Sequence, residues 1–178
     1  MKNLTQPALS WLLVAGLALA PALTVSAAGA DAAKAEVTYQ RPESFTDVRD
    51  SNFESQRGRD QMLDALREHI EKRAAVALPA GYTLEVVVND LDLAGDYEPW
   101  RTKFTDVRIV RDIYPPRIRL EYTLKDGDGQ VVANAKRDLV DTAFLQTLAM
   151  DRHDTLRYEK ALIDTWIGQD VRRAVPAS

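Results

Sequence analysis

The sequence predicts an α+β fold: a mainly antiparallel sheet of four to five strands with two amphipathic helices packed on one face. Three observations carry this expectation. Ile118, Leu120, Tyr122 and Leu124 alternate with Arg119, Glu121 and Thr123, the period-two pattern of a strand with one buried and one wet face. Asp126-Gly127-Asp128-Gly129 follows directly, and Gly supplies the positive φ that turns such a strand back on itself. Two stretches, 59–78 and 156–173, space their apolar residues by three and four, which gives each helix one apolar face to bury.

The chain opens on a run from Trp11 to Val25 that is apolar and uncharged, preceded by Lys2 and closed by Val25-Ser26-Ala27-Ala28. Those features predict a cleaved signal peptide over 1–27; the run is interrupted by Pro21 and is shorter than the ~20 residues a membrane span needs. A flexible leader over 28–35 and one globular domain over 36–175 follow. There is no cysteine, so neither a lipid-anchored Cys nor a disulfide is available, and the core must hold the fold alone. About 150 residues suffices for one such core.

Within the domain, Glu36 to Tyr39 reads as a short strand, ended by Arg41-Pro42. In the first helix Leu63, Leu66, Ile70, Ala74 and Ala77 form the buried face, and Pro79-Ala80-Gly81 stops it. Leu84, Val86 and Val88 make the inner face of the next strand. The apolar parity then flips to Leu91 and Leu93. A strand keeps its faces through such a flip only if one residue is inserted, so a bulge or strand end is expected at Asn89-Asp90. Val107 to Val110 suggests a further short strand. Ile118–Leu124 and Val131–Leu139 form the hairpin, and a short helical piece is expected within 142–150. Asp154 or Thr155 is placed to cap the last helix, whose face is Leu156, Leu162, Ile163, Trp166, Ile167 and Val171.

The 23 basic and 27 acidic side chains give a net charge of −4, and the expected signal peptide contributes only Lys2. That balance argues against broad nucleic-acid binding, which needs a basic footprint. His69 and His153 lie far apart in sequence and make no transition-metal cluster. There is no G-x-S-x-G nucleophile elbow and no phosphate loop of the G-x-x-x-x-G-K type.

Chemistry concentrates between Asn89 and Arg101. Asp90, Asp92, Asp96 and Glu98 put four carboxylates within nine residues, and Tyr97, Trp100 and Arg101 add stacking and hydrogen-bonding groups. Trp, Tyr and Arg dominate binding hot spots. Asp90, Asp92 and Gly95 overlay the start of a calcium-binding EF-hand loop, but Ala94 and Arg101 stand where two ligands should be. The competing reading has Asp90 and Asp92 capping backbone groups at the bulge while Leu91 and Leu93 pack inside. Arg117, Arg119 and Arg137 are expected to pair across strands with Glu121, Asp138 and other local acids.

The chain resembles a family of exported bacterial proteins known as domain of unknown function 3016. The resemblance runs through Phe45-Thr46-Asp47, through Asp90-Leu91-Asp92-Leu93-Ala94-Gly95 with Glu98-Pro99-Trp100, through Arg117–Leu124, and through Leu156-Arg157-Tyr158-Glu159-Lys160 to Trp166. It implies a secreted or periplasmic protein of a Gram-negative bacterium. It brings no activity, cofactor or catalytic residue.

Three function classes remain. The first is a non-enzymatic envelope module that binds a protein partner or cell-wall component through Asp90, Asp92, Asp96, Tyr97, Glu98, Trp100 and Arg101, with no catalytic residue and no resident cofactor. The second is a divalent-cation domain of the Ca²⁺ type using Asp90, Asp92, Asp96 and Glu98. The third is a carboxylate-dependent hydrolase.

Overall fold

Two strands that run in the same direction cannot be joined by a tight turn; the chain must cross the sheet between them. In the computed structural model, Lys34–Tyr39 (β1) and Thr83–Asp92 (β2) pair in parallel, and the 22-residue helix Gln56–Ala77 (α1) makes the crossover. The structure describes residues 32–49, 55–98, 100, 106–146 and 153–176. The expected signal peptide, half of the leader and much of the helical piece proposed over 142–150 lie outside them, although Phe144–Gln146 does form one 3₁₀ turn.

Arg117–Lys125 (β5) pairs antiparallel with β2, and Val131–Val140 (β6) pairs antiparallel with β5, so the sheet order is β1-β2-β5-β6. Two of its three pairings are antiparallel. A separate small ribbon joins Asp96–Tyr97 (β3) to Arg108–Ile109 (β4). The strand expected near 107–110 is therefore present, while β3 has only two residues, too few to leave a periodic signal.

The parity flip is resolved by one inserted residue. Val88 pairs with Leu120 and Asp90 with Arg119, so Asn89 is the bulge. It lets Leu91, opposite Ile118, return to the same face as Val88, and all four apolar side chains are buried. The same insertion puts Asp90 and Asp92 on the opposite face.

Leu63, Leu66, Ile70 and Ala74 of α1 pack in one core with Leu84, Val86, Val88, Leu120, Tyr122 and Leu124 of the sheet. Arg157–Trp166 (α2) adds Leu162, Ile163 and Trp166, with Trp166 edge-on to Tyr122 at 5.6 Å. Burying each such side chain contributes about 1.5–3 kcal/mol. The single helix expected over 156–173 is in fact α2 followed by a π turn at Ile167–Val171 and a 3₁₀ turn at Arg172–Ala174. The wider turn keeps both Ile167 and Val171 buried.

Both helix starts differ from sequence expectation. Ser55 caps α1 by accepting from the Gly58 N–H at 3.0 Å, so the helix begins at Gln56, three residues before the expected start at 59. At α2 the N-cap position is Leu156, without a side-chain cap. Asp154 instead accepts from the Leu156 N–H at 2.9 Å and from Lys160 Nζ at 2.6 Å, which ties down the approach to the helix. His69 sits at the boundary between the helices, 2.7 Å from Asp164, which also meets Arg73 at 2.8 Å. No helix among the described residues is long and apolar enough to cross a membrane.

Candidate functional site

The end of β2 beyond the bulge meets the segment after β1. Thr46 donates its N–H to Asp90 Oδ1 at 2.8 Å and its hydroxyl to Asp90 Oδ2 at 2.9 Å. Asp47 extends the parallel pairing, donating to Leu91 O and accepting from Leu93 N, both at 3.1 Å. One residue later Ala94 donates its N–H to Glu159 Oε1 of α2 at 2.7 Å, and Gly95 donates to Tyr114 O at 3.0 Å. Segments up to 65 residues apart are thereby fixed around the stretch from Asp90 to Gly95.

Gly95 is required there by its backbone. Its φ is +82°, and a Cβ would lie 2.8 Å from the Ile109 carbonyl oxygen and 3.1 Å from Val110 Cγ2. Gly95→Ala adds left-handed strain to a clash with backbone that has no room to yield, so urea unfolding should show a loss of about 2 kcal/mol or more.

Asp47 is the hub. It is only 6% exposed, yet it faces two guanidinium groups. Arg108 grips both carboxylate oxygens at 3.0 and 3.1 Å, and Arg49 does so at 2.9 and 3.3 Å. Burial alone would raise the Asp47 pKa; the hydrogen bonds from Arg49 and Arg108 outweigh it and hold the carboxyl below the usual Asp value. Arg108 spends its other bonds on Gly95 O and Arg49 O, each at 2.9 Å, and Arg49 reaches Asp96 at 3.2 Å. Both guanidiniums lie over the ring of Tyr97, at 4.8 Å for Arg108 and 5.4 Å for Arg49.

A cleft of about 400 Å³ opens beside this hub. Asp47, Arg49, Asp92, Asp96, Tyr114 and Arg117 bring charged or polar groups to it, and Leu93, Ile113, Pro115 and Val140 supply an apolar wall. That volume lies within the ~300–1,000 Å³ range of ligand pockets. Almost every polar group in the cleft has a partner inside the protein. Asp96 accepts from Arg49 and from the Tyr97 N–H at 2.7 Å. Tyr114 donates to Glu98 at 3.3 Å, and Arg117 is turned onto Asp138 at 2.7 Å.

Asp92 differs. Arg117 stands opposite it in the sheet register but bonds to Asp138, and among the described residues the Asp92 carboxylate accepts no hydrogen bond. Desolvation, then the charges of Asp47 and Asp90, push its pKa from 3.8 up to about 6. The folded protein thus binds this proton more tightly than the unfolded chain. Wild type therefore loses stability as pH rises from about 4 to about 6, and the loss is complete above that window. Asp92→Asn is expected to be the more stable protein at pH 7, by about 1 kcal/mol after discounting for solvent screening of a half-buried group. The difference should vanish below pH 4 in paired thermal melts.

The seven residues singled out from sequence divide. Asp92 and Asp96 line the cleft. Asp90 points at Thr46 and Arg119, the latter at 3.1 Å, which matches the backbone-capping alternative. Tyr97 is 5% exposed beneath the two arginines, so it offers no surface for stacking a partner. Glu98 is buried, 3.0 Å from Arg111. Trp100 is 68% exposed. Arg101 lies outside the described residues. Of the four carboxylates offered as cation ligands, Asp90, Asp96 and Glu98 are drawn to different partners, and Asp92 has none among the described residues. Among the described residues no three His, Cys, Asp or Glu side chains group so as to hold a metal ion.

Asp47, Arg49, Arg108 and Glu159 were not recognised as site residues from sequence. Glu159 did leave a signal: it lies three residues after Leu156 and four before Ile163, on the apolar face of its helix. A carboxylate at such a position must find a buried partner.

The sequence profile of a family described as "Protein of unknown function (DUF3016)" matches residues 33–169. No curated protein matches the chain. Among solved structures it is similar to a dodecamer of a PelC variant from Paraburkholderia phytofirmans, at 12% identity over 79% of this chain and 85% of that one, with a TM-score of 0.38.

Proposed function

The chain belongs to the DUF3016 family, and from that premise we propose that it is an exported, non-enzymatic binding module whose site is the cleft around Asp92. The apolar leader with its small-residue ending supports translocation to the periplasm or beyond. One observation carries the assignment of the site: among the described residues of a cleft whose other charged groups are mutually paired, Asp92 alone keeps an open, partly desolvated carboxylate. A ligand that satisfied it would relieve the unfavourable environment that raises its pKa. Binding fits this arrangement better than paired-carboxylate hydrolysis. Hydrolysis needs two working carboxyl groups flanking the scissile bond, and Asp47 and Asp96 are already held by arginine. The partner belongs to the cell envelope, as a protein or a cell-wall component.

The test has two parts. Mass spectrometry of the envelope fraction should find an N terminus at Ala28 or Gly29. Capture from envelope extract should recover a partner with wild type and with Trp100→Ala but not with Asp92→Arg. An intact cytoplasmic precursor would remove the export reading. A partner kept by Asp92→Arg and lost by Trp100→Ala would move the site from the cleft to the exposed tryptophan.

A further inference from the structure

Resting on the reading of the cleft as a binding site, we infer that its ligand presents a primary ammonium group on an apolar stem. The inference comes from what the cleft has left to offer. An anionic ligand needs donors, best supplied by arginine. Both nearby guanidiniums of the hub are committed: Arg108 to Asp47, Gly95 O and Arg49 O, and Arg49 to Asp47 and Asp96. Arg117 is bound to Asp138, and the Tyr114 hydroxyl is given to Glu98. The remaining N–H groups of Arg49 and Arg117 belong to guanidiniums whose charge Asp47, Asp96 and Asp138 already neutralise, so an anionic ligand meets no uncompensated cation among the described residues of the cleft.

The open group is an acceptor bearing charge. In the hub, Asp47 and Asp96 are balanced by Arg49 and Arg108, Asp90 is balanced by Arg119, and Asp138 by Arg117. Among the described residues of the cleft, Asp92 is the remaining charge. A cationic donor gains both the hydrogen bond and the Coulomb attraction there, whereas a neutral hydroxyl gains only the weaker hydrogen bond.

The walls select the stem. Ile113 is 58% exposed and Val140 41% exposed, and both line the cleft with Leu93 and Pro115. Such surface favours methylene groups over a fully hydroxylated ligand. A four- to five-carbon chain reaching past this wall to Asp92 has the dimensions of a lysine side chain, and the cleft volume accommodates it.

The experiment is a methyl NMR titration of the protein, following Leu93, Ile113 and Val140. The probes are n-pentylammonium chloride, n-pentanol and Nα-acetyl-lysine amide. The two amines should shift these methyls with at least about tenfold lower Kd than pentanol, and Asp92→Asn should weaken the amines about tenfold while leaving pentanol unchanged. This variant is expected to fold at least as stably as wild type, so lost binding reports on the carboxylate. Tighter binding of the lysine amide than of pentylammonium identifies a peptide source for the ammonium; the reverse identifies a free amine. Equal affinity for pentanol and pentylammonium, or amine binding unchanged in Asp92→Asn, overturns the ammonium inference while leaving the cleft as a binding site. If no probe shifts the cleft methyls and Asp92→Arg still captures its envelope partner, both readings fall.

Discussion

Asp47→Ala should cost about 3 kcal/mol of folding stability at neutral pH and lower Tm by about 10 °C. Among the described residues only Asp47 neutralises Arg108 at close range, and the Arg108 side chain is mostly buried. Removing the carboxylate leaves a guanidinium with two carbonyl acceptors and no counter-charge, the situation in which one-sided loss of an ion pair is most harmful. Asp47→Asn keeps the shape and one acceptor, so it should fall between alanine and wild type. The pH profile adds an independent check. Since the folded carboxyl has a lowered pKa, its stabilisation is present above the unfolded value and is lost as pH falls through the folded value. In Asp47→Ala this part of the acid sensitivity should disappear. Urea unfolding from pH 3 to pH 7 measures both effects; a loss below 1 kcal/mol at neutral pH would show that the hub is not what holds the end of β2.

The second large effect is expected at Glu159. Its side chain is buried and accepts the Ala94 N–H at 2.7 Å. Glu159→Ala opens a cavity and strands that N–H, so it should destabilise by about 2–4 kcal/mol. Glu159→Gln retains a carbonyl acceptor of the same reach and should stay within about 1 kcal/mol of wild type. Desolvation raises the Glu159 pKa more than the Ala94 hydrogen bond lowers it. Wild type therefore loses stability as pH rises through the folded value, while the amide does not. The Gln variant should gain relative to wild type as pH increases. Hydrogen exchange at Ala94 should accelerate in the alanine variant and remain slow in the glutamine variant.

These two residues show where sequence reasoning reached its limit. The alternation over Ile118–Leu124 and the parity flip at Asn89 are local patterns, and local patterns specify faces and bulges. The helix faces were legible for the same reason. The pairing of Asp47 with Arg108 spans 61 residues, and no periodicity says which distant arginine a carboxylate will meet. Strand order had the same difficulty: nothing local distinguishes a parallel β1–β2 pair from an antiparallel one. The dense segment from Asp90 to Arg101 contributes Asp92 and Asp96 to the cleft, but its chemistry could not be sorted until the fold separated its side chains. Asp90 turned to Thr46, Tyr97 went under the arginines, and Asp92 remained open. Glu159 was legible in principle, since its position on an apolar helix face was plain in the spacing.

Among the described residues, Asp92 is the one unpaired acid in a cleft built from paired charges. Side-chain carboxyl ¹³C resonances followed against pH test it most directly. Asp92 should titrate near pH 6 and Asp47 below the ordinary aspartate range. If Asp92 instead titrates at or below 3.8, it has a partner in solution, and the cleft has no open acceptor to offer.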